Sequence, residues 1–196
     1  MDNKKNFNNN KKLHQSYLLK NCFVIDNVKN KILKNDIYIK DKIIDEIDKN
    51  LTNKIDPETV IIDCKDMYVA PGLVDMRVNI TEPGLEHKET IESASKAAAS
   101  GGVTSIICMP NTTPPIDQPA IIHSIQRKAR EVALSKIFCT GCITRNFEGN
   151  EICELHLMKE SGAVGFTDGY KTISNTRVMR RALNYAKSFD GLIIQH

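Results

Sequence analysis

Tryptophan is absent from the sequence, and aromatic residues occupy only 6% of its 196 positions. Proteins that hold single-stranded nucleic acid stack its bases on aromatic side chains, so this scarcity argues against that class. An excess of one charge is also missing, because 27 Lys and Arg against 24 Asp and Glu leave a net charge of only +3. That surplus is too small for a protein dedicated to nucleic-acid binding.

No apolar run approaches the roughly 20 residues that a membrane-spanning helix needs, so no membrane partner is expected. The N-terminus lacks the apolar core of a secretory signal, which argues against export by that route. Six cysteines are present, but a chain of this length buries a core without disulfides. Cys139 and Cys142 have CxxC spacing, yet they lie in an apolar run without a second pair, which argues against a zinc or redox site. We therefore expect reduced thiols, a soluble globular protein and a cytoplasmic location.

Residues 1–16 are rich in Asn and Lys and nearly devoid of apolar side chains. Such a segment cannot bury enough surface to offset the entropy lost on ordering, which predicts a disordered tail. A polybasic anchor or a targeting peptide is the alternative, although transit peptides are usually rich in Arg and Ser. Short β-type runs separated by polar turns then fill residues 17–70, among them YLLKNCFVID, DIYIK and TVIIDC. This pattern predicts an N-terminal β module.

From residue 71 onward, strand-like and helical segments alternate with a period of about 30 residues, which is typical of βα units in a parallel sheet. The apolar strand-like runs lie at 72–79, 103–110, 136–143, 163–168 and 191–196. The amphipathic helical stretches between them lie at 89–100, 120–133, 151–161 and 176–188. The last stretch has Ser174 or Asn175 available as an N-cap.

Two architectures share this repeat. An open doubly wound sheet normally carries a Gly-rich phosphate-binding turn after its first strand, and the sequence has none there. In a (β/α)8 barrel, polar functional residues collect at the C-terminal ends of successive strands. The candidates at those ends are Arg77 and Asn79, Asn111 and Thr112, Thr144 and Arg145, Asp168, and His196. Because a complete barrel takes roughly 250 residues, residues 71–196 predict a partial (β/α)8 TIM barrel that stops at its fifth strand, in a fragment or a truncated gene product.

Two stretches, VAPGLVDMRVNITEPGLEHKET and GGVTSIICMPNTTPPID, resemble the dihydroorotases of the amidohydrolase superfamily. The resemblance covers about residues 17–196 and includes the closing IIQH. It implies an α/β fold with a metal-bearing barrel of the amidohydrolase type, preceded by a small β-sandwich module that a C-terminal segment normally completes. It also implies zinc as the cofactor and a hydrolase that opens a cyclic amide, dihydroorotate, to N-carbamoyl-aspartate in de novo pyrimidine biosynthesis. Allantoinases and dihydropyrimidinases are the runner-up enzymes.

The resemblance places the family's zinc-binding pair of first-strand histidines at Arg77 and Asn79. Arginine has no lone pair to offer, and an amide is a poor zinc donor beside imidazole. By the same resemblance, Asn111 occupies the position of a substrate-binding asparagine. Asp168 and His196 occupy two metal-ligand positions.

The family arginine that binds the substrate carboxylate corresponds to Thr81. The remaining His ligand and the catalytic Asp would lie on strands that this chain lacks, so the resemblance assigns no catalytic residue here. Catalytic zinc normally keeps three protein ligands, whereas Asp168 and His196 supply two. Since amide hydrolysis at neutral pH relies on metal-activated water, we expect zinc to bind weakly or not at all and the chain to be inactive.

Two functions stay open at this point. The first is an enzyme, a divergent dihydroorotase that acts on a small-molecule substrate. The second is a non-catalytic relative that binds aspartate carbamoyltransferase, as inactive dihydroorotase-like chains of the family do, and the loss of the first-strand histidines favours it. The open sheet edge of a partial barrel also predicts association into an oligomer.

Three of these residues also have structural interpretations. Asp168 precedes a glycine and fits a turn, while Asn111 fits a helix or turn cap. Arg77 fits an ion pair with Asp75 or Glu82, or a fork that holds a carboxylate ligand. The hydrogen-bond partners of each side chain distinguish these alternatives.

Overall fold

A computed structural model of the chain describes residues 16–195. The chain divides into two compact units, Met1–Pro71 and Gly72–His196. Most of the predicted tail lies outside the described residues, as does His196. Ser16 differs from the predicted tail, because it is buried and its hydroxyl shares a hydrogen bond of 2.7 Å with the hydroxyl of Thr59.

The first unit is a five-stranded sheet. Its strands are β1 (Tyr17–Asp26), β2 (Lys31–Lys40), β3 (Ile43–Asp48), β4 (Val60–Asp63) and β5 (Tyr68–Val69). The order is β3-β2-β1-β4, and β5 pairs with β1 beside β4. β2 runs antiparallel to both β1 and β3, whereas β4 and β5 run parallel to β1. Asp41 and Lys42 join β2 to β3 with positive φ angles of 51° and 65°, as a two-residue hairpin turn requires.

This unit has small apolar clusters on both faces of one sheet. Side chains alternate between the faces of a strand, so Tyr38 packs with Leu18 and Leu51, while the adjacent Ile37 packs with Cys22 and its neighbours. β4 and β5 return parallel to β1 and extend its free edge, so the five strands form one layer. The β-sandwich expected from the resemblance stays a prediction, because a C-terminal segment normally completes it.

The second unit alternates strands and helices. Its elements are β6 (Leu73–Val78), α1 (Ile91–Ser100), β7 (Val103–Cys108), α2 (Pro119–Val132), β8 (Lys136–Gly141), α3 (Leu155–Glu160), β9 (Ala163–Phe166) and α4 (Thr176–Lys187). The strands form one sheet in the order β6-β7-β8-β9, and every neighbouring pair is parallel. The α/β class and the parallel order predicted from the repeat are confirmed, but these four strands make an open sheet and no closed barrel.

The predicted fifth strand, 191–196, is only begun in the described residues. The backbone N–H of Phe166 donates to the Leu192 carbonyl at 2.9 Å, and the Ile194 N–H donates to the Phe166 carbonyl at 2.8 Å. These bonds produce a single parallel bridge between Phe166 and Ile193. The segment therefore lies where a fifth parallel strand would lie, beside β9.

The helices pack their apolar stripes onto one face of the sheet. Ile91, Ile122 and Met158 are buried there against Ile106 and Phe166, and each such side chain contributes about 1.5–3 kcal/mol of transfer free energy. Helix α4 begins at a side-chain cap. The Asn175 side chain accepts hydrogen bonds from backbone N–H groups in the first turn of α4, as its position in the sequence predicts. The longest helix described, α2, has 14 residues, and no helix in this part of the chain has the length and apolarity of a membrane span.

Strand β6 lies at the edge of this sheet, and apolar side chains on both of its faces are exposed among the described residues. Leu73, Val74 and Met76 of β6 are 62%, 58% and 72% exposed. In a closed barrel the inner face of the sheet is filled by side chains from all its strands. The open sheet accounts for this exposure.

Candidate functional site

The candidate site lies at the C-terminal ends of the four parallel strands. Arg77 is near the end of β6 and Asn79 follows it, Asn111 follows β7, and Asp168 follows β9. Thr144 follows β8 in the same way. Because the strands are parallel, their C-terminal ends meet at one edge of the sheet, as in the catalytic face of barrel enzymes. Sequence and topology thus bring the predicted residues to one edge.

Asp168 ties the end of β9 to the loop that follows β8. Its side chain is only 4% exposed. One carboxylate oxygen, Oδ1, accepts the backbone N–H groups of Ile143 and Thr144 at 2.8 and 2.9 Å. The other, Oδ2, accepts the Thr144 hydroxyl at 2.5 Å. Protein donors therefore satisfy both oxygens of this buried acid, in a role that neither the turn nor the metal interpretation foresaw.

Arg77 makes neither of the ion pairs considered from the sequence. The carboxylate of Asp75 accepts only the backbone N–H of Arg77, at 3.1 Å, and the carboxylate of Glu82 accepts the backbone N–H of Ile91, at 2.7 Å. The Arg77 guanidinium instead lies over the ring of Tyr170, with its central carbon 5.5 Å from the ring centroid. A guanidinium on the face of an aromatic ring is a favourable cation–π contact.

Tyr170 contacts both Arg77 and Asn79, a role that the sequence did not lead us to predict. The side-chain amide of Asn79 donates to the Tyr170 hydroxyl, while Arg77 lies over the ring. Arg77 and Asn79 are two positions apart at the end of one strand, so they reach the same neighbour. The available signal was the place of Tyr170 in TDGY, directly after a strand that ends in a candidate ligand.

Asn111 holds an unused acceptor. Its side-chain oxygen Oδ1 is buried and accepts no hydrogen bond from any residue in the described range. A cap would use that oxygen, so the cap interpretation is wrong. Buried polar atoms almost always have partners, and an unpaired one at a strand end is available to a ligand that carries an N–H group.

The loop after β6 and the loop that carries Asn111 touch closely at a glycine. Gly84 has a φ of +106°, and a Cβ built there would lie 2.0 Å from the Thr113 carbonyl oxygen. The N–H of Thr113 donates to the Pro83 carbonyl at 2.9 Å. Only glycine permits both the left-handed backbone and this approach. The E-P-G segment thus supports the loop that presents Asn111.

A small cavity of about 80 Å³ opens beside Arg77. Its walls are formed by Met76, Arg77, Met109, Thr140, Thr167, Gly169, Ile194 and Gln195. The Thr167 side chain is only 2% exposed, and its hydroxyl oxygen accepts the Gly169 N–H at 3.1 Å. The Thr140 hydroxyl donates to the Cys108 carbonyl at 2.9 Å. The guanidinium of Arg77 is the charged group of this cavity wall.

Comparison with known proteins identifies the family. A family model described as dihydro-orotase-like matches residues 67–196. A dihydroorotase of Aquifex aeolicus is 40% identical over 179 residues, which cover 91% of this chain and 42% of the relative. A dihydroorotase of Solibacter usitatus is 43% identical over 91% of this chain and 41% of its own length. The chain belongs to the dihydroorotase-like family.

Solved structures agree with this assignment. The L-hydantoinase (dihydropyrimidinase) of Arthrobacter aurescens superposes with a TM-score of 0.78 at 25% identity, over 92% of this chain and 40% of that one. An enamidase of the amidohydrolase superfamily superposes with a TM-score of 0.68 at 20% identity, over 93% of this chain and 50% of that one, which shows the shared fold. The dihydroorotase-like chain thus spans about two fifths of the length of the dihydroorotases it matches.

Dihydroorotase-like and other amidohydrolase proteins are generally metal-dependent, but the described residues of this chain do not fit a zinc site. No three His, Cys, Asp or Glu side chains between residues 16 and 195 lie close enough to hold one ion. Asn79 offers an amide and Arg77 a cation at the positions where the resemblance predicts imidazoles, and both oxygens of Asp168 accept protein hydrogen bonds. The other predicted ligand, His196, lies outside the described residues.

Thr81, which the resemblance places at the position of a carboxylate-binding arginine, has a structural use. Its hydroxyl lies within hydrogen-bonding distance of two backbone carbonyl oxygens, those of Leu85 at 3.0 Å and Glu89 at 3.2 Å. The hydroxyl therefore holds the loop that leads to α1. It supplies no positive charge for a ligand.

The cysteines of this unit are buried thiols. Cys139 lies beside Cys108 on the neighbouring strand, with the two sulfurs 3.4 Å apart, rather than forming a pair with Cys142. Burial is the main cause that raises the pKa of Cys153 to about 12 and the pKa of Cys142 well above its ordinary range. Because the thiolate is the reactive and metal-binding form, these environments disfavour a redox or zinc role for the CxxC spacing.

Proposed function

We propose that the chain is the substrate-recognising part of a dihydroorotase-like amidohydrolase of de novo pyrimidine biosynthesis, and that dihydroorotate and N-carbamoyl-aspartate are its ligands. Membership of the dihydroorotase-like family supports this choice of reaction class. The arrangement of side chains at the strand ends supports a small-molecule ligand at that edge. Residue 111 is an asparagine in both this chain and the family pattern that the M-P-N-T segment resembles.

The unpaired oxygen of Asn111 is the observation that carries the proposal. Leaving a buried acceptor without a partner costs about 1–3 kcal/mol, and a ligand N–H removes that cost on binding. Dihydroorotate and N-carbamoyl-aspartate both carry amide-type N–H groups next to a carboxylate. The Asn111 side chain is therefore suited to their recognition.

We propose further that this chain binds these ligands without hydrolysing them. Metal-assisted hydrolysis needs ligands with free lone pairs around one ion. Arg77 and Asn79 stand where the family has its first-strand pair, and the Asp168 carboxylate is already engaged by Ile143 and Thr144. The role of Asp168 is then to fix the loop after β8.

One experiment tests recognition and turnover together. We expect the chain to bind dihydroorotate in equilibrium dialysis, to retain less than one zinc per chain by mass spectrometry, and to release no N-carbamoyl-aspartate. Asn111→Ala should weaken dihydroorotate binding without lowering the free energy of unfolding, because it removes a buried acceptor that holds no protein partner. Asn150→Ala, at an exposed loop position, is the matched control. Stoichiometric zinc with turnover, or unchanged binding in Asn111→Ala, would contradict the proposal.

A second function is favoured by a specific observation. Arg77 and Asn79 both contact Tyr170, so the end of the first strand is held together by side chains that bind no metal. This arrangement fits a non-catalytic partner of aspartate carbamoyltransferase. Sedimentation of the chain with the aspartate carbamoyltransferase of the same organism tests it. A stable complex would support the partner role, and separate sedimentation at micromolar concentrations would exclude it. The same measurement on the chain alone tests the predicted oligomer.

A further inference from the structure

The Arg77 guanidinium carries a positive charge that no described carboxylate neutralises. No Asp or Glu among residues 16–195 has an oxygen within salt-bridge distance of it, and Asp75 and Glu82 serve backbone N–H groups instead. The guanidinium is held over the ring of Tyr170, with its central carbon 5.5 Å from the ring centroid. The edge of the guanidinium, which bears its N–H donors, is the part that recognises carboxylates.

A second donor lies in the wall of the same cavity. The Thr167 hydroxyl is buried and accepts the Gly169 N–H through its oxygen, while its own proton has no acceptor in the part of the chain that the structure describes. The Thr140 hydroxyl, also in this wall, is already donated to the Cys108 carbonyl. Arg77 and Thr167 therefore both present hydrogen-bond donors in the cavity wall. A ligand that binds there needs hydrogen-bond acceptors.

The size and lining of the cavity limit the ligand. Its volume is about 80 Å³, so we expect it to receive the carboxylate end of a ligand whose other atoms lie outside it. Met76, Met109 and Ile194 form apolar parts of the wall. Met76 and Ile194 are themselves 72% and 43% exposed, so the cavity is open to a ligand from solvent.

We propose that Arg77, positioned by Tyr170 and assisted by Thr167, binds the carboxylate of a small organic acid at this strand-end edge without a metal ion. The identity of that acid as dihydroorotate rests on the function proposed above. Arg77 then supplies the positive charge that Thr81, whose hydroxyl lies against the Leu85 and Glu89 carbonyls, does not supply. Because guanidinium stays protonated, binding is expected to be insensitive to EDTA and to pH between about 6 and 9.

The test is an NMR titration of the whole chain in EDTA, in which the side-chain Nε–H signal of Arg77 is followed. Dihydroorotate and dihydrouracil form a matched pair of ligands, because the second is the same ring without the carboxylate. We expect dihydroorotate to shift the signal and dihydrouracil to leave it unmoved. Arg77→Gln should weaken dihydroorotate binding by about tenfold or more, since it removes a charged hydrogen-bond donor, and Thr167→Val should weaken it less.

Arg181→Gln is the control variant, because it removes an exposed guanidinium from α4, outside the cavity wall. Equal affinities for the two ring compounds, or unchanged dihydroorotate affinity in Arg77→Gln, would overturn the carboxylate site. If succinate gives the Arg77-dependent shift and dihydroorotate does not, the carboxylate site stands and the proposed function is wrong. If dihydroorotate binds independently of Arg77, the proposed function stands and this inference is wrong.

Discussion

The carboxylate of Asp168 and the hydroxyl of Thr144 are joined by a buried hydrogen bond of 2.5 Å between the ends of neighbouring strands. The backbone N–H of Thr144 donates to the same carboxylate at 2.9 Å. A buried acid held by several donors remains compatible with its charge, because hydrogen bonds replace the lost water. The pair therefore fixes the loop after β8 relative to the end of β9.

Asp168→Ala should lower the free energy of unfolding by about 3 kcal/mol, because it leaves buried donors of Ile143 and Thr144 without an acceptor. Thr144→Val, which removes the hydroxyl that donates to Asp168 and accepts the Gly149 N–H, should cost about 1–2 kcal/mol. Urea denaturation of each variant in EDTA measures both values. Equal stability of Asp168→Ala and the unmodified chain would show that this carboxylate does not fix the loop.

Gly84→Ala should destabilise the second unit by about 2–3 kcal/mol, because alanine adds a left-handed backbone penalty and its Cβ meets the Thr113 carbonyl. The loop that presents Asn111 should move with it, which weakens ligand binding. Gly149→Ala is the matched control, because that glycine also has a positive φ, of +72°, but has no atom within 4 Å of a Cβ position. Urea denaturation and amide NMR shifts of residues 110–113 measure the two effects. Equal losses in both variants would contradict the role of the close contact.

Stability of the second unit should fall as the pH rises above 9. Burial raises the pKa of the Cys153 thiol to about 12 from an ordinary value of 9.0. The unfolded thiol therefore loses its proton first, and the associated stability, complete below pH 9, is lost as the pH rises toward 12. Cys153→Ala should flatten the decline of the urea midpoint between pH 8 and about 10.5 relative to the unmodified chain. Identical pH profiles would contradict the buried, protonated thiol.

Restoring histidines at the first strand should not by itself create a tight zinc site in this chain. In Arg77→His with Asn79→His, a third protein ligand would still be needed, and the oxygens of Asp168 already accept hydrogen bonds from Ile143 and Thr144. Adding Thr144→Val frees Oδ2 and should raise zinc affinity above that of the double variant. Competition with a fluorescent zinc chelator measures both. Tight binding by the double variant alone would show that Asp168 is available as a ligand.

Much of the second unit follows from sequence periodicity. Alternating strand-like and helical runs of about 30 residues predict parallel βα units, because a parallel sheet needs a crossover between strands. Asn175 predicts the start of α4, since capping is a local interaction. The order of the strands in the first unit could not be predicted in this way, because β4 and β5 pair with β1 from distant positions in the sequence.

The sequence by itself determined which residue types stand at the strand ends, including Arg77 and Asn79 at the positions where the resemblance predicts imidazoles. Only the tertiary structure decided what those side chains do. The loops that follow different strands meet, and their meeting places Tyr170 against Arg77 and Thr144 against Asp168. The same packing leaves the side-chain oxygen of Asn111 without a partner among the described residues. Periodicity and capping depend on neighbours along the chain, whereas these contacts join residues far apart in sequence, and their geometry is set by packing of the whole unit.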